Sequence, residues 1–301
     1  MSILVVDKPS GPSSFAVCKR VRAILGKQRE KVGHGGTLDP FASGVLPICF
    51  GEATKVLPFL LDADKSYEAT VRFGVETDTL DCTGQVLAER PLVGLAAETL
   101  TAALAQFRGE IAQVPPMYSA LKRDGRPLYA YARAGQVVDR PARQVSIFDL
   151  SLLEFAPPDR ARLRVRCSKG TYIRQLAADL GQYLGVGAHL LELRRTASGP
   201  FKIEASVTPE QLRARVADRQ PLPVLSLLEA VAHLPRVNVE EAQALILERG
   251  QRMAWSAFSR GRELAGPVCA VLDGPEGPAL VAIVAQGDDG NLKILRGFRR
   301  G

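Results

Sequence analysis

The sequence predicts an α+β protein made of two regions. Strands are indicated by a strict alternation of apolar and polar residues in the segments 66–73 and 161–167. Helices are indicated by apolar residues at helical spacing in the segments 96–107 and 171–184. The pattern changes after His233-Leu234-Pro235. This change places a boundary between residues 1–234 and residues 235–301.

The composition is that of an ordinary globular protein. The chain has 301 residues, of which 46% are hydrophobic and 24% charged, so it can bury a core. The first residues lack the basic region of a signal peptide, and no apolar run approaches the roughly 20 residues of a membrane span. We therefore expect a cytoplasmic protein without a membrane partner.

The cysteines and histidines argue against disulfide bonds and against a metal site. The five cysteines are scattered, without a Cys-x-x-Cys pair, and there are only three histidines. An odd number of isolated cysteines fits reduced thiols in the cytoplasm. The usual zinc ligands do not occur at recognisable spacing, so we expect a mechanism that uses no metal.

The net charge favours a polyanionic partner. Lys and Arg number 39 against 32 Asp and Glu, which gives a formal charge of +7 and a pI near 9.3. The part of the chain from Arg236 onwards has nine basic and eight acidic residues. The excess of positive charge therefore belongs to residues 1–235.

The N-terminal segment predicts a strand, a turn and a helix. Residues 2–6 are mostly apolar, and the prolines and glycine of residues 7–12 require a turn. Ser13 or Ser14 then caps a helix with a basic outer face. We expect plain solvation of that face rather than specific phosphate contacts.

A glycine-rich loop follows at residues 33–44, before an apolar strand at 45–50. Glycine allows close approach of the backbone to a bulky partner, and Pro40 favours an extended conformation at Asp39. The loop would hold the Asp39 carboxylate at a fixed point on a rigid support. An ordinary turn is the alternative, since Asp-Pro is common in turns.

The segment 117–143 fits neither period and is rich in basic and aromatic residues. It contains six Lys or Arg, two Asp and three Tyr. Basic side chains interleaved with aromatics are typical of nucleic-acid grooves, because phosphates need charge and splayed bases need a flat apolar face. We predict that this insertion contacts a nucleic acid.

Arginines stand out in the next strand and helix. Arg162, Arg164 and Arg166 fall on one face of the strand 161–167, which is either an RNA-facing surface or a solvated one. Arg174 lies in the first turn of the following helix, where the macrodipole disfavours a cation. Arg174 therefore needs an acidic partner.

The end of the chain predicts a small α+β module. Thr208-Pro209-Glu210-Gln211 has the pattern of a capping box. Asn238 is predicted to cap one helix that ends before Gly250. Strands are predicted at 268–272, 280–284 and 291–295.

Four motifs together resemble one known family. They are residues 33–40 with 42–44, and the shorter stretches 7–11, 64–67 and 169–174. Their sequence and order resemble the TruB-type tRNA pseudouridine-55 synthases, which usually have Thr where this chain has Gly35, a departure that we expect to loosen the loop. The resemblance implies a mixed, mostly antiparallel sheet of the pseudouridine synthase fold, flanked by helices. Residues 235–301 resemble a PUA-type RNA-binding domain, although a packing or dimer module remains an alternative.

The resemblance also implies an activity and a site. The chain would isomerise uridine 55 in the T-loop of tRNA on a flipped-out base, with no cofactor. Asp39 would be the nucleophile, Arg174 would keep it ionised, and Tyr67 would hold the base. The implied substrate-binding residues are His34, which would fill the place of the flipped base, and Leu193, Lys8, Tyr172 and Lys169. From the residues alone, His34 could merely bond within its loop, and Tyr67 and Leu193 could be core residues.

The partners follow from the same resemblance. We expect the T-arm of tRNA as substrate, no obligatory protein partner and a monomer. Two other functions stay open. One is a dyskerin-type subunit of a guide-RNA-dependent synthase, and the other is a tRNA-binding or tRNA-folding protein without chemistry. Whether Asp39 attacks C6 of the base or C1′ of the ribose does not follow from the sequence.

Overall fold

Strands and helices are mixed along the chain. The computed structural model describes residues 2–275 and 277–298. The strands of this part are β1 Ser2–Lys8, β2 Val32–His34, β3 Ser43–Phe50, β4 Lys65–Phe73, β5 Val75–Thr77, β6 Val86–Glu89, β7 Gly109–Gln113, β8 Lys122–Arg123, β9 Arg126–Pro127, β10 Arg143–Ala156, β11 Arg160–Cys167, β12 Ala188–Ser198, β13 Phe201–Lys202, β14 Val224–Leu225, β15 Arg236–Asn238, β16 Val268–Gly274, β17 Gly277–Gln286 and β18 Leu292–Gly297. The α-helices are α1 Ser14–Ile24, α2 Leu57–Leu61, α3 Ala97–Leu104, α4 Leu128–Ala132, α5 Ile173–Tyr183, α6 Pro209–Ala217, α7 Leu227–Ala230, α8 Glu241–Glu248 and α9 Trp255–Ser259. Short 3-10 helices lie at Gly51–Val56, Ala105–Phe107 and Ile203–Ala205.

A large mixed sheet forms the body of the protein. Its strand order is β14-β1-β3-β12-β4-β11-β10-β7, with β2 added on β3 and β13 on β12. The pairing of β3 with β12 is parallel, and the other pairings described in this sheet are antiparallel. The prediction of a mixed, mostly antiparallel sheet flanked by helices is therefore confirmed.

Helices α3 and α5 cover one face of this sheet. Val71 and Phe73 of β4 lie in one buried cluster with Leu100 of α3 and Leu176 of α5. The alternation in β4 and β11 produces this arrangement, because every second side chain points to the helices. The opposite face of β11 carries three exposed arginines, which are Arg162, Arg164 and Arg166.

The insertion 117–143 forms a small separate unit. Strands β8 and β9 pair as a hairpin, and the short helix α4 follows at once. Its buried residues are Leu128 and Ser119, whereas most of its cations are exposed.

The C-terminal residues form a second sheet, in the order β15-β16-β17-β18. The predicted strands are present, and the predicted helix that ends before Gly250 is α8, but its predicted cap, Asn238, is wrong. Asn238 ends β15 and pairs with Val271, and the N-cap of α8 is Glu240. The additional helix α9 has only five residues, too few for a periodic signal.

The two sheets share part of their core. Leu228 and Val231 of the region before residue 234 lie in one buried cluster with Cys269 and Ile283. The C-terminal sheet is thus packed against the larger one through apolar side chains. Across residues 2–275 and 277–298, none of the helices is both long and apolar enough to cross a membrane.

Candidate active site

Asp39 lies on the loop between β2 and β3 and meets Arg174 at the start of α5. The Nε of Arg174 donates to Oδ2 of Asp39 at 2.9 Å. Arg174 is 3% exposed, whereas the Asp39 side chain is 36% exposed. The contact predicted from the sequence is present, and the carboxylate opens toward solvent while its cation is buried.

The remaining donors of Arg174 connect three further segments. Nη1 donates to the Thr79 carbonyl and Nη2 to the Tyr118 carbonyl, each at 2.8 Å. Nη1 also lies 3.6 Å from Oδ2 of the buried Asp81. The planar guanidinium fork thus fixes Asp39 relative to the insertion and to the turn after β5.

Asp81 is a site residue that sequence reasoning missed. Its Oδ1 accepts from the hydroxyls of Thr79 at 2.7 Å and Thr83 at 2.6 Å. The sequence feature that could have revealed Asp81 is the run of acids and threonines in residues 77–83 before Gly84. Such a run is typical of a turn held by side chains. Its proximity to Arg174 depends on tertiary structure.

The electrostatics of Asp39 reflect two opposing effects. Burial raises the pKa of the Asp39 carboxyl, and the charge of Arg174 opposes that rise. Asp81 raises the Asp39 pKa further, and Lys8 lowers it. Arg174 is therefore the group that most favours the ionised form of Asp39.

Lys8 holds the backbone of the loop around Asp39. Its ammonium donates to the carbonyls of Ala42 at 2.6 Å, Pro9 at 3.0 Å and Pro40 at 3.1 Å. The residue is 0% exposed, and burial lowers its pKa to about 8. All three donors are engaged with the chain, and the contact of Lys8 with substrate stays a prediction.

Arg195 supports the other side of the loop and was also missed. Its Nη2 donates to the Gly36 carbonyl at 3.0 Å and its Nε to the Val45 carbonyl at 2.7 Å. A Cβ on Gly44 would lie 2.2 Å from the Arg195 carbonyl oxygen, and Gly44 has φ +105°. Glycine is therefore required where β3 and β12 meet. The sign that could have revealed Arg195 is a charged residue at a position of β12 whose side chain points into the core.

Gly35, the departure from the family motif, is bonded and closely packed within the structure. Its amide donates to the Pro47 carbonyl at 2.8 Å. A Cβ at this position would meet Leu60 at 3.2 Å. Leu60 of α2 therefore packs against the backbone of Gly35, in the space that a side chain at position 35 would need.

A cavity of about 350 Å³ opens above Asp39. Tyr67 and Leu193 line it, together with Tyr172 and Arg195. Burial raises the pKa of Tyr67 and Arg195 opposes that rise, so Tyr67 is a neutral phenol at neutral pH. The cavity combines apolar surfaces with one carboxylate, which suits a pyrimidine ring and its sugar.

Two predicted residues near the start of α5 differ in position. Tyr172 is the N-cap residue of α5, where the Gln113 side-chain amide bonds both its amide and its carbonyl, at 2.8 Å and 3.1 Å. Lys169 is 61% exposed and pairs with Asp62 at 2.8 Å. Tyr172 thus lines the cavity, while Lys169 lies on the surface beside it.

His34 lines a second cavity, of about 550 Å³, on the other side of Asp39. Its Nδ1 is buried without a hydrogen-bond partner in the described part of the chain. Burial lowers the His34 pKa and Arg195 lowers it further, so the ring is neutral at neutral pH. For Nδ1, the described residues do not show the hydrogen bond within the loop that the alternative role of His34 requires.

The insertion contributes the outer wall of this second cavity. Tyr129 and Arg133 line it, with the Arg133 guanidinium 5.4 Å from the centre of the Tyr129 ring. On α1, Phe15 lines the same cavity, and the Lys19 ammonium lies 5.0 Å from its ring centre. Aromatic rings paired with cations thus face the cavity from two elements.

Comparison with known proteins gives a family to this fold and site. A model of the N-terminal domain of the TruB family pseudouridylate synthases matches residues 22–173. A model described as the tRNA pseudouridylate synthase B C-terminal domain matches residues 174–232. The chain therefore belongs to the TruB family of pseudouridylate synthases.

Curated relatives carry a more specific name. The tRNA pseudouridine synthase B of Stutzerimonas stutzeri strain A1501 is 52% identical over 83% of this chain and 82% of its own length. That of Cupriavidus pinatubonensis strain JMP 134 is 47% identical over 98% of this chain and 93% of its own.

Solved structures are similar across nearly the whole chain. A chain of an H/ACA ribonucleoprotein bound to a substrate RNA containing 2′-deoxyuridine has a TM-score of 0.69 at 28% identity. A chain of a Cbf5–Nop10–Gar1 complex has a TM-score of 0.68 at 30% identity. Each match covers 94% of this chain and 77% of the other.

Proposed function

We propose that this chain isomerises uridine 55 in the T-loop of tRNA to pseudouridine, with Asp39 as the nucleophile. The observation that carries the proposal is the Asp39 carboxylate, paired with Arg174 at 2.9 Å, at the mouth of a cavity lined by Tyr67 and Leu193. The name shared by relatives at 47% to 52% identity supports tRNA as the substrate.

The reaction breaks the bond from uracil N1 to ribose C1′ and forms a bond from C5 to C1′. No atom is added and no redox change occurs, so the reaction needs no cofactor. Asp39 either displaces N1 at C1′ of the ribose and is displaced in turn when C5 attacks C1′, or it adds to C6 of the base and is eliminated after C5 has bonded to C1′. N1 ends protonated, and both routes need an ionised carboxylate. Arg174 supplies the charge that favours this form.

The proton on C5 must leave after the new bond forms. Because the Tyr67 pKa is raised, its phenol is a poor base at neutral pH. We assign the proton to a water that the Tyr67 hydroxyl orients, while the Tyr67 ring and Leu193 enclose the base.

The target base must leave its stack to reach Asp39, at a cost of roughly a few kcal/mol. His34 is an uncharged ring next to the cavity, which suits it to fill the space of the flipped base. Tyr129 and Arg133 supply an aromatic surface and a charge for the adjoining RNA. Tyr172 and Lys169 would contact the RNA at the other rim.

We further propose that the enzyme acts as a monomer in the cytoplasm, on free tRNA, without an obligatory protein partner. Residues 1–234 would carry the chemistry, and residues 235–301 would form a PUA-like domain that adds RNA contacts. The main alternative is a ribonucleoprotein subunit, because H/ACA structures are similar at 28% and 30% identity. The higher identity to the tRNA pseudouridine synthase B relatives favours the first function.

Mass-spectrometric mapping of tRNA treated with the isolated protein tests the proposal. We expect pseudouridine at position 55 and at no other uridine, without guide RNA or added protein. Modification only in the presence of a guide RNA would support the ribonucleoprotein alternative. Binding of tRNA without any pseudouridine would support a role in tRNA folding.

A further inference from the structure

The two cavities meet at a small set of residues. Six residues line both of them, and these are Thr37, Leu38, Asp39, Ser119, Ala120 and Arg174. Asp39 and Arg174 are paired with each other, and Thr37 is exposed. Ser119 is therefore the buried polar side chain of this junction that has no assigned task.

The Ser119 hydroxyl makes no well-formed hydrogen bond in the described part of the chain. The residue is 5% exposed, and its Oγ meets no group with hydrogen-bond geometry in residues 2–275 and 277–298. The Tyr172 phenol is within reach of it: a weak hydrogen-bond interaction with Ser119 lowers the pKa of Tyr172, against the larger effect of burial, although the two groups do not reach standard hydrogen-bond geometry. A buried hydroxyl left without a partner is destabilising, so its presence calls for an explanation.

The backbone of Ser119 is fixed, whereas its side chain is not. Its amide donates to the Met117 carbonyl at 2.9 Å, and its carbonyl accepts from the Tyr129 amide at 3.1 Å. Serine has one side-chain torsion with three staggered positions. Rotation about that torsion moves the hydroxyl at the junction without moving the chain.

The geometry of the reaction decides which part of the substrate lies at the junction. In the proposed function, on which this inference rests, the base lies in the cavity of Tyr67 and Leu193. The bond between base and ribose must lie at Asp39. The ribose then lies beyond Asp39, where the two cavities join and the strand continues past His34.

We infer that the Ser119 hydroxyl hydrogen-bonds to the 2′-hydroxyl of the target ribose and so contributes to selection of RNA over DNA. The 2′-hydroxyl both donates and accepts, and it is the group by which a protein distinguishes RNA from DNA at a given site. The substrate supplies the well-aligned partner that Ser119 lacks among the described residues of the folded chain. Ser119 thus acts in ribose recognition and takes no part in the bond changes.

A double-mutant-type cycle tests this contact. It combines Ser119→Ala in the protein with removal of the 2′-hydroxyl from the target nucleotide of the RNA. Dissociation constants are measured for T-arm stem-loops whose target nucleotide is either uridine or 2′-deoxyuridine. The proteins carry Ser119→Ala or the native serine, both with Asp39→Asn so that neither RNA reacts. We expect Ser119→Ala to weaken binding of the uridine RNA about 3- to 10-fold, and of the deoxyuridine RNA by less than about twofold.

Stability and a matched control exclude a structural effect. Ser119→Ala removes only the weak interaction with the Tyr172 phenol, so the unfolding midpoint should change little. Ser259→Ala, at a site 3% exposed in the C-terminal sheet region, should change neither dissociation constant. Equal weakening for both RNAs, or no weakening for either, overturns the inference. Failure of the native enzyme to form any pseudouridine instead overturns the proposed function itself.

Discussion

The loop around Asp39 and the insertion 117–143 border the same cavities but are built in opposite ways. Buried cations fix the carbonyls of the loop on both sides of Asp39, since Lys8 bonds those of Pro40 and Ala42 and Arg195 bonds that of Gly36. In the insertion, the cations stack on tyrosines that remain partly exposed, as Arg133 does on Tyr129.

This contrast follows from what each region has to do. A nucleophile is effective when its supporting groups fix its position to a fraction of an ångström. An RNA loop that is opened on binding needs a surface that adapts, and exposed rings and long cationic side chains provide it. Substitutions in the loop should therefore affect turnover or stability, and substitutions in the insertion should affect binding.

The largest effect is expected for Asp39→Asn. Loss of the nucleophile should lower turnover by at least about 10³-fold, because the amide cannot form the covalent link. Binding of tRNA should stay within about tenfold, since phosphate contacts that dominate affinity lie elsewhere. Tritium release from C5-labelled uridine and filter binding measure the two quantities. Residual turnover close to that of the native enzyme would show that Asp39 is only structural.

A somewhat smaller effect is expected at Arg174. Arg174→Met should lower turnover about 10²-fold or more, because it leaves Asp39 and Asp81 without their cation. Arg174→Lys keeps the charge but not the fork, so its loss should be smaller.

The pH dependence of activity tests the pairing of Arg174 with Asp39. Activity needs ionised Asp39 and falls as the pH drops through its pKa. Removal of the cation that opposes the rise in this pKa should move the acidic limb of kcat/KM to higher pH in Arg174→Met. Profiles between about pH 5 and 8 would show the shift, and an unchanged limb would contradict the assigned pairing.

An intermediate effect on stability is expected for Lys8→Met. The change leaves three carbonyls without their donor, which should lower the free energy of unfolding by about 2 kcal/mol. Lys169→Met is the matched control, since that side chain is 61% exposed and its loss should cost less than about 0.5 kcal/mol. Urea unfolding measures both variants. If Lys8→Met matches its control, the carbonyl contacts are not what supports the loop.

The smallest effect is expected in the insertion. Arg133→Ala should raise the Michaelis constant for tRNA several-fold with little change in turnover, because its contact is made equally before and during the reaction. The slope of log affinity against log salt should fall by about one unit if Arg133 meets a phosphate. Arg213→Ala, exposed on α6, is the control. A drop in turnover without a change in the Michaelis constant would place Arg133 in the chemistry.

Much of the fold was readable in the sequence, because local patterns specify local structure. The alternation in 66–73 and 161–167 matches β4 and β11, since the period of two places one face on α5. The capping box at Thr208 and Gln211 forms at the start of α6 as predicted. The helix predicted before Gly250 is present as α8, but the cap predicted at Asn238 was wrong because that residue pairs with Val271, and a pairing between distant strands leaves no local signal.

The sequence by itself determined the glycine-rich loop around Asp39, the need of Arg174 for an acid, and the aromatic and basic character of the insertion. Only the tertiary structure decided that Asp81 shares Arg174, that Lys8 and Arg195 bond the loop, and that Ser119 lies at the junction of two cavities. The physical reason is that glycines, charges and periodicity act over a few neighbouring residues. Satisfying a buried charge or hydroxyl depends on groups from distant segments, which meet only when the sheet has assembled.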